Sequence, residues 1–182
     1  MNTANRITLV RIAMIPLFLF FFLTDLVPYS SYIAVALFII AAATDSVDGH
    51  VARKYNQITD FGKFIDPLAD KILVVSALVG MVQFGQISAV AVIIIIAREF
   101  MVTGLRIVAI SSGQVIAAAA SGKLKTVIQI VVIAIVMAAQ DFLGTVPYLG
   151  AILECLIWLM VLITVYSGVE YMVKNRALID YK

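Results

Sequence analysis

Apolar residues run along this chain in long blocks broken at five places by short polar turns, and the block lengths predict helices. The blocks cover about residues 10–27, 31–49, 66–84, 87–108, 124–142 and 147–173. None alternates with a period of two, and all are too long for barrel strands. The breaks carry turn chemistry: residues 25–31 with Pro28, 56–62 ending on Gly62, 83–88 with Gly85, 111–113 with Ser121 and Gly122 beyond, and 140–147 ending on Pro147. A helix of about 20 residues crosses about 30 Å of hydrocarbon. The expected fold is therefore an all-α integral membrane protein with six transmembrane helices, a single transmembrane domain over residues 1–182.

Composition strengthens that expectation. The chain is 63% hydrophobic and 13% charged, whereas a soluble domain is nearer half apolar and about a quarter charged. No length remains for a separate soluble domain. Arg6 and Arg11 ahead of the first apolar block resemble the start of a secretory signal, but no small-residue cleavage site follows residues 18–23. That block is expected to stay as the first helix, with about nine residues before it and any interfacial helix there abbreviated.

Charge then sets orientation. The connections around Pro28, Gly85 and Gly144 hold no Lys or Arg, while all 13 basic residues lie at the termini, around the second and fourth connections or within the fourth block. Basic residues mark the cytoplasmic side, so both termini and the second connection are expected there. The lone Cys155 lies in an apolar block and reads as packing.

Against that background the acids between residues 45 and 70 stand out. Asp45 and Asp48 are three apart and Asp66 and Asp70 four apart, so each pair shares a helix face. Folding the second helix back on the third brings the pairs together. A carboxylate at membrane depth costs about 2.5 to 3.5 kcal/mol on insertion scales and calls for a cavity, a cation or a substrate. Hard divalent cations prefer oxygen ligands, and two of them can clamp the attacking and leaving oxygens of a phosphoryl displacement. Gly49 permits close approach to the backbone, with Ala52 leaving room on the same face, and Arg53 offers a forked donor to phosphate. Gly62 serves a similar approach from the loop side. Singly, any of the four acids could be a helix cap; Asp66 before Pro67 suits an N-cap with proline at the first helical position.

The whole arrangement, Asp-x2-Asp-Gly-x2-Ala-Arg-x8-Gly-x3-Asp-x3-Asp, resembles without gap or substitution the signature of the CDP-alcohol phosphotransferases. The resemblance implies a six-helix membrane enzyme, usually a homodimer, that moves a phosphatidyl-type group from a CDP-linked donor to an alcohol and releases CMP. It implies Asp45, Asp48, Asp66 and Asp70 as ligands of two Mg²⁺ or Mn²⁺ ions, and Asp70 as the general base toward the acceptor hydroxyl. Asp48, Gly49, Ala52 and Arg53, with Thr59 and Gly62, correspond to the donor contacts. The active site then lies at the cytoplasmic side.

A further likeness narrows the acceptor. Arg98-Glu-Phe-Met-Val-Thr-Gly104-Leu-Arg106, Gly122-Lys123-Leu-Lys125-Thr126-x2-Gln129 and Asn5-Arg-Ile-Thr8-Leu-x-Arg11 are similar to segments of the phosphatidylglycerophosphate-forming members. This implies CDP-diacylglycerol as donor, with Asn5 and Thr8 near it, and sn-glycerol 3-phosphate as acceptor, its phosphate held by cations among Arg98, Arg106, Lys123 and Lys125. Arg98 has an equal alternative, a scaffold pair with Glu99 or an active-site aspartate, and the other three could be plain cytoplasmic anchors. The implied partners are the two substrates, membrane lipids and a second copy of the chain, with no nucleic acid. Serine, inositol phosphate and phosphatidylglycerol are the alternative acceptors. A prenyltransferase is a poorer fit because its acidic motifs lie far apart in sequence, and a small cation transporter because its acids spread through depth. His50 reads as solvated or headgroup-facing; Tyr148, Trp158, Tyr166 and Tyr171 read as packing or interface anchors.

Overall fold

A computed structural model describes the backbone of residues 3–24, 26–54, 60–111 and 120–176, and the side chains of residues 9–24, 26–44, 71–109 and 121–176. Among these residues the chain forms six α-helices and no strand: α1 (Thr3–Leu23), α2 (Ser30–Lys54), α3 (Asp60–Gln83), α4 (Ala89–Ser111), α5 (Ala120–Ala139) and α6 (Leu149–Lys174), with a 3-10 turn at Gln140–Phe142 after α5. They group into two compact units, one of Met1–Gln86 and Ile133–Asp141, the other of Ile87–Val132 and Phe142–Lys182.

In the first unit α1 packs against both α2 and α3, and α2 and α3 also touch. Its buried residues recur at helical spacing: Ile15 and Phe18 on α1, Ala34, Phe38 and Ala41 on α2, Leu73, Ala77 and Met81 on α3. Phe18 stacks on Phe22 with ring centroids 5.5 Å apart and tilts against Phe38 at 5.8 Å. Phe22 in turn meets Phe84 edge-on. The rings fit because Gly80 of α3 carries no side chain; a Cβ there would stand 2.6 Å from Phe22 Cε1. Pro16 sits inside α1, leaving one carbonyl of the preceding turn without its usual amide.

In the second unit α4 packs on α6 through Val102, Leu105, Ala109 and Tyr171, with Met172 alongside. Outward, α6 shows solvent-exposed Ile152, Leu159, Leu162 and Val169, a face that suits hydrocarbon and would be a liability in water. Two helical stretches, Ser121–Phe142 and Leu149–Lys174, are long and apolar enough to cross a membrane, and shorter apolar helical stretches cover Leu9–Leu23, Ser30–Thr44 and Lys71–Gln83. Five threonine hydroxyls in or beside these helices are satisfied locally. Thr24, Thr44, Thr103, Thr126 and Thr164 each donate to the carbonyl four residues back, which removes the penalty of a bare hydroxyl in an apolar setting.

Two helix entries share one device. Val27-Pro28-Tyr29 leads into α2 and Val146-Pro147-Tyr148 into α6, each tyrosine with φ 64. Ser30 N–H donates to Val27 O and Leu149 N–H to Val146 O, so each proline stands at the second and each tyrosine at the third position of a tight turn. Proline presets the backbone for the one position; the left-handed conformation at the other ordinarily selects glycine.

Several boundaries differ from the apolar blocks. α1 starts at Thr3, well before residue 10; α2 runs past Gly49 to Lys54; α3 begins at Asp60. Gly62 is thus in the first turn of a helix and not on a loop, and Asp66 and Pro67 are interior positions of α3, not its cap and first residue. Ser121 and Gly122 open α5 where a break was expected. Cys155 is exposed, not packed. The boundaries differ for a common reason: hydropathy marks where apolar side chains stop, whereas backbone hydrogen bonding continues through Ala, Lys, Arg and Asp. Cys155 differs because apolar α6 has an outward as well as a packed face.

Candidate active site

The acidic signature falls on the ends of two touching helices. Asp45, Asp48, Gly49, Ala52 and Arg53 lie in the last turns of α2, and Gly62, Asp66 and Asp70 in the first turns of α3. Helical register puts positions 45, 48 and 52 on one face and positions 66 and 70 on one face. Their side chains, and those of Asn5 and Thr8 on α1, lie outside the described residues, as does Thr59 altogether. Four carboxylates are an all-oxygen donor set, the kind that suits Mg²⁺ or Mn²⁺ and disfavours soft metals. Both acid-bearing helix ends belong to one packed unit. Among the described residues no group of three or more His, Cys, Asp or Glu side chains comes together.

The second unit gathers the cations of α4 and α5. Arg98 Nη1 donates to Glu99 Oε1 at 3.0 Å, and its Nη2 donates to the Ser167 hydroxyl of α6 at 2.6 Å. Lys125 of α5 donates to the same Glu99 oxygen. Lys125 is 3% exposed, so it is no solvated anchor; a cation so enclosed needs its carboxylate. Gln129, one turn further along α5, is also buried, and its Nε2 has no hydrogen-bond partner. Arg106 and Lys123 are exposed. Of the four cations named from the sequence, then, Arg98 and Lys125 meet through Glu99, and the other two do not join that cluster.

The profile of the CDP-alcohol phosphatidyltransferase family matches residues 1–166. The chain belongs to that family. Among its CDP-alcohol phosphatidyltransferase relatives, a Bacillus subtilis protein named CDP-diacylglycerol–glycerol-3-phosphate 3-phosphatidyltransferase is 44% identical, covering 96% of this chain and 95% of the relative. Proteins of the same name from Rickettsia bellii and Haemophilus influenzae are 32% and 31% identical, covering 93% and 98% of this chain and 93% and 96% of their own lengths.

Three features of this family member escaped the sequence reading. Arg11, a residue of the first unit, is fully buried and is not without an interaction, although its position in the chain reads as a basic flank. Ser167 and Gly168 hold Arg98 from a helix that is apolar over most of its length. A serine next to a glycine in an apolar helix signals close packing; only the helix opposite reveals an arginine.

Proposed function

We propose that this chain transfers the phosphatidyl group of CDP-diacylglycerol to sn-glycerol 3-phosphate, giving phosphatidylglycerophosphate and CMP. The observation that carries this reading is the 44% identity, over nearly the full length of both chains, to a relative of that name. The occupied signature from Asp45 to Asp70 supports it. In this reading the chain spans the membrane six times with both termini and the signature at the cytoplasmic side, as the distribution of its basic residues favours, and works as a homodimer.

Asp70 accepts the proton of the acceptor hydroxyl, whose oxygen bonds to the phosphorus that carries the diacylglycerol as the bond to CMP breaks. A hydroxyl is a weak nucleophile at neutral pH, so a positioned carboxylate is required. Asp45, Asp48, Asp66 and Asp70 hold two Mg²⁺ or Mn²⁺ ions, which supply charge neutralisation at the pyrophosphate when bound. Gly49 and Ala52 leave room for the nucleotide, Arg53 pairs with its phosphates, and Asn5, Thr8, Thr59 and Gly62 complete the donor contacts. Lys125, held by Glu99, takes the acceptor's phosphate together with Arg106 and Lys123, and Arg98 orders that group.

Purified protein given CDP-diacylglycerol and separate acceptors (glycerol 3-phosphate, serine, inositol phosphate, phosphatidylglycerol) tests the reading by CMP release. Turnover with glycerol 3-phosphate well above the rest is expected, lost on chelation and restored by Mg²⁺ or Mn²⁺. Preference for another acceptor refutes the substrate, and CMP release indifferent to chelation refutes the metals.

A further inference from the structure

The Arg98 side chain leaves α4 and crosses α6 at a step with no side-chain bulk. A Cβ at Gly168 would stand 2.8 Å from Arg98 Cγ, well inside the roughly 3.5 to 4.0 Å at which non-bonded carbons pack. The adjacent Ser167 receives the guanidinium Nη2 at 2.6 Å. Further along, a Cβ at Gly122 of α5 would stand 3.9 Å from that same Nη2, an ordinary contact. Glycine is a poorer helix former than alanine, so a glycine at 168 has a cost that the arginine stem explains. The guanidinium's other terminal nitrogen, Nη1, then reaches Glu99, whose Oε1 also holds Lys125. One chain of contact runs from the α6 backbone through Arg98 and Glu99 to Lys125.

We propose that Ser167 and Gly168 are positioning residues for acceptor binding: together they seat Arg98, which orients Glu99, which holds the Lys125 ammonium where the acceptor's phosphate is bound. The inference rests on the reading of Lys125 as a cation of the acceptor site. An arginine has many rotamers, and its planar fork fixes a partner only when its own stem is fixed. Gly168 fixes the stem by fit and Ser167 fixes one end of the fork by a hydrogen bond to a charged group, which leaves the other end a single direction toward Glu99.

The test is steady-state CMP release by the full chain in detergent–lipid micelles, titrating glycerol 3-phosphate and CDP-diacylglycerol separately. Ser167→Ala and Gly168→Ala are each expected to raise the acceptor KM about tenfold, the loss expected for a charge-assisted contact, with the donor KM and kcat at saturating acceptor little changed. Because an alanine at 168 has nothing to displace once the stem is gone, Gly168→Ala is expected to add no further rise in an Arg98→Ala background. An equal penalty in both backgrounds, a matching rise in the donor KM, or an unchanged acceptor KM in the Ser167→Ala protein overturns the proposal. The underlying reading fails differently: wild type would then not use glycerol 3-phosphate, or Lys125→Ala would leave its KM untouched. Should Gly168→Ala not fold, Ser167→Ala alone and with Arg98→Ala carries the same comparison.

Discussion

Asp70 and Gly80 lie on the same helix and are expected to fail in opposite ways when changed. Asp70→Asn keeps the size of the side chain and removes its capacity to take a proton, so kcat should fall about 10²- to 10⁴-fold while CDP-diacylglycerol binding, measured by equilibrium dialysis of the nucleotide-lipid, stays within a few-fold. Turnover at the wild-type rate would remove Asp70 as the base. Gly80→Ala touches no chemistry but pushes a methyl group into Phe22, which cannot swing away because it is stacked on Phe18 and held edge-on by Phe84. Overpacking of this kind costs about 1–3 kcal/mol, to be read as a lower apparent Tm in detergent. The control is Gly104→Ala, where nothing lies within 4 Å and the change should be neutral or stabilise slightly.

At the scale of elements, the existence and order of the helices were legible from the apolar blocks, and their ends were not. α2 and α3 extend through the charged signature because nothing in Ala52, Arg53, Lys54 or Lys63 opposes a helix, so the stretch that hydropathy reads as a connection is largely helical. The acidic signature was legible because carboxylates at helical spacing in an apolar chain are too costly to keep unless a cation, a substrate or water meets them. The Ser167–Gly168 seat was not, because its meaning lies on α4. The tyrosine turns add a similar case: Pro28 and Pro147 announce a turn, but nothing in sequence says that Tyr29 and Tyr148 occupy a conformation with φ 64. Such strain costs about 1 kcal/mol or more. Tyr148 is 84% exposed, so its ring forfeits little contact in detergent. Tyr148→Gly is therefore expected to raise the apparent Tm of the purified protein; a fall would mean that the ring's surroundings outweigh the relief of the backbone.

For the molecule as a whole, the proposed six-span topology makes the sharpest demand, since donor and acceptor both carry phosphates that stay on the cytoplasmic side. The basic residues lie at the termini, around the second and fourth connections or within the fourth apolar block, while Pro28, Gly85 and Pro147 mark connections with no basic residue. Single cysteines introduced into a Cys155→Ala protein read this out, the native thiol being removed because it is exposed on α6. Cysteines at positions 29 and 148 are expected to react with a membrane-impermeant maleimide in intact cells, and cysteines at 54 and 176 only after permeabilisation. Position 54 decides the matter, because it closes the helix that carries Asp45 and Asp48. Labelling there from outside would put the acids on the face away from the cytoplasmic nucleotide pool into which CMP is released, and the proposed orientation of the transferase would fail.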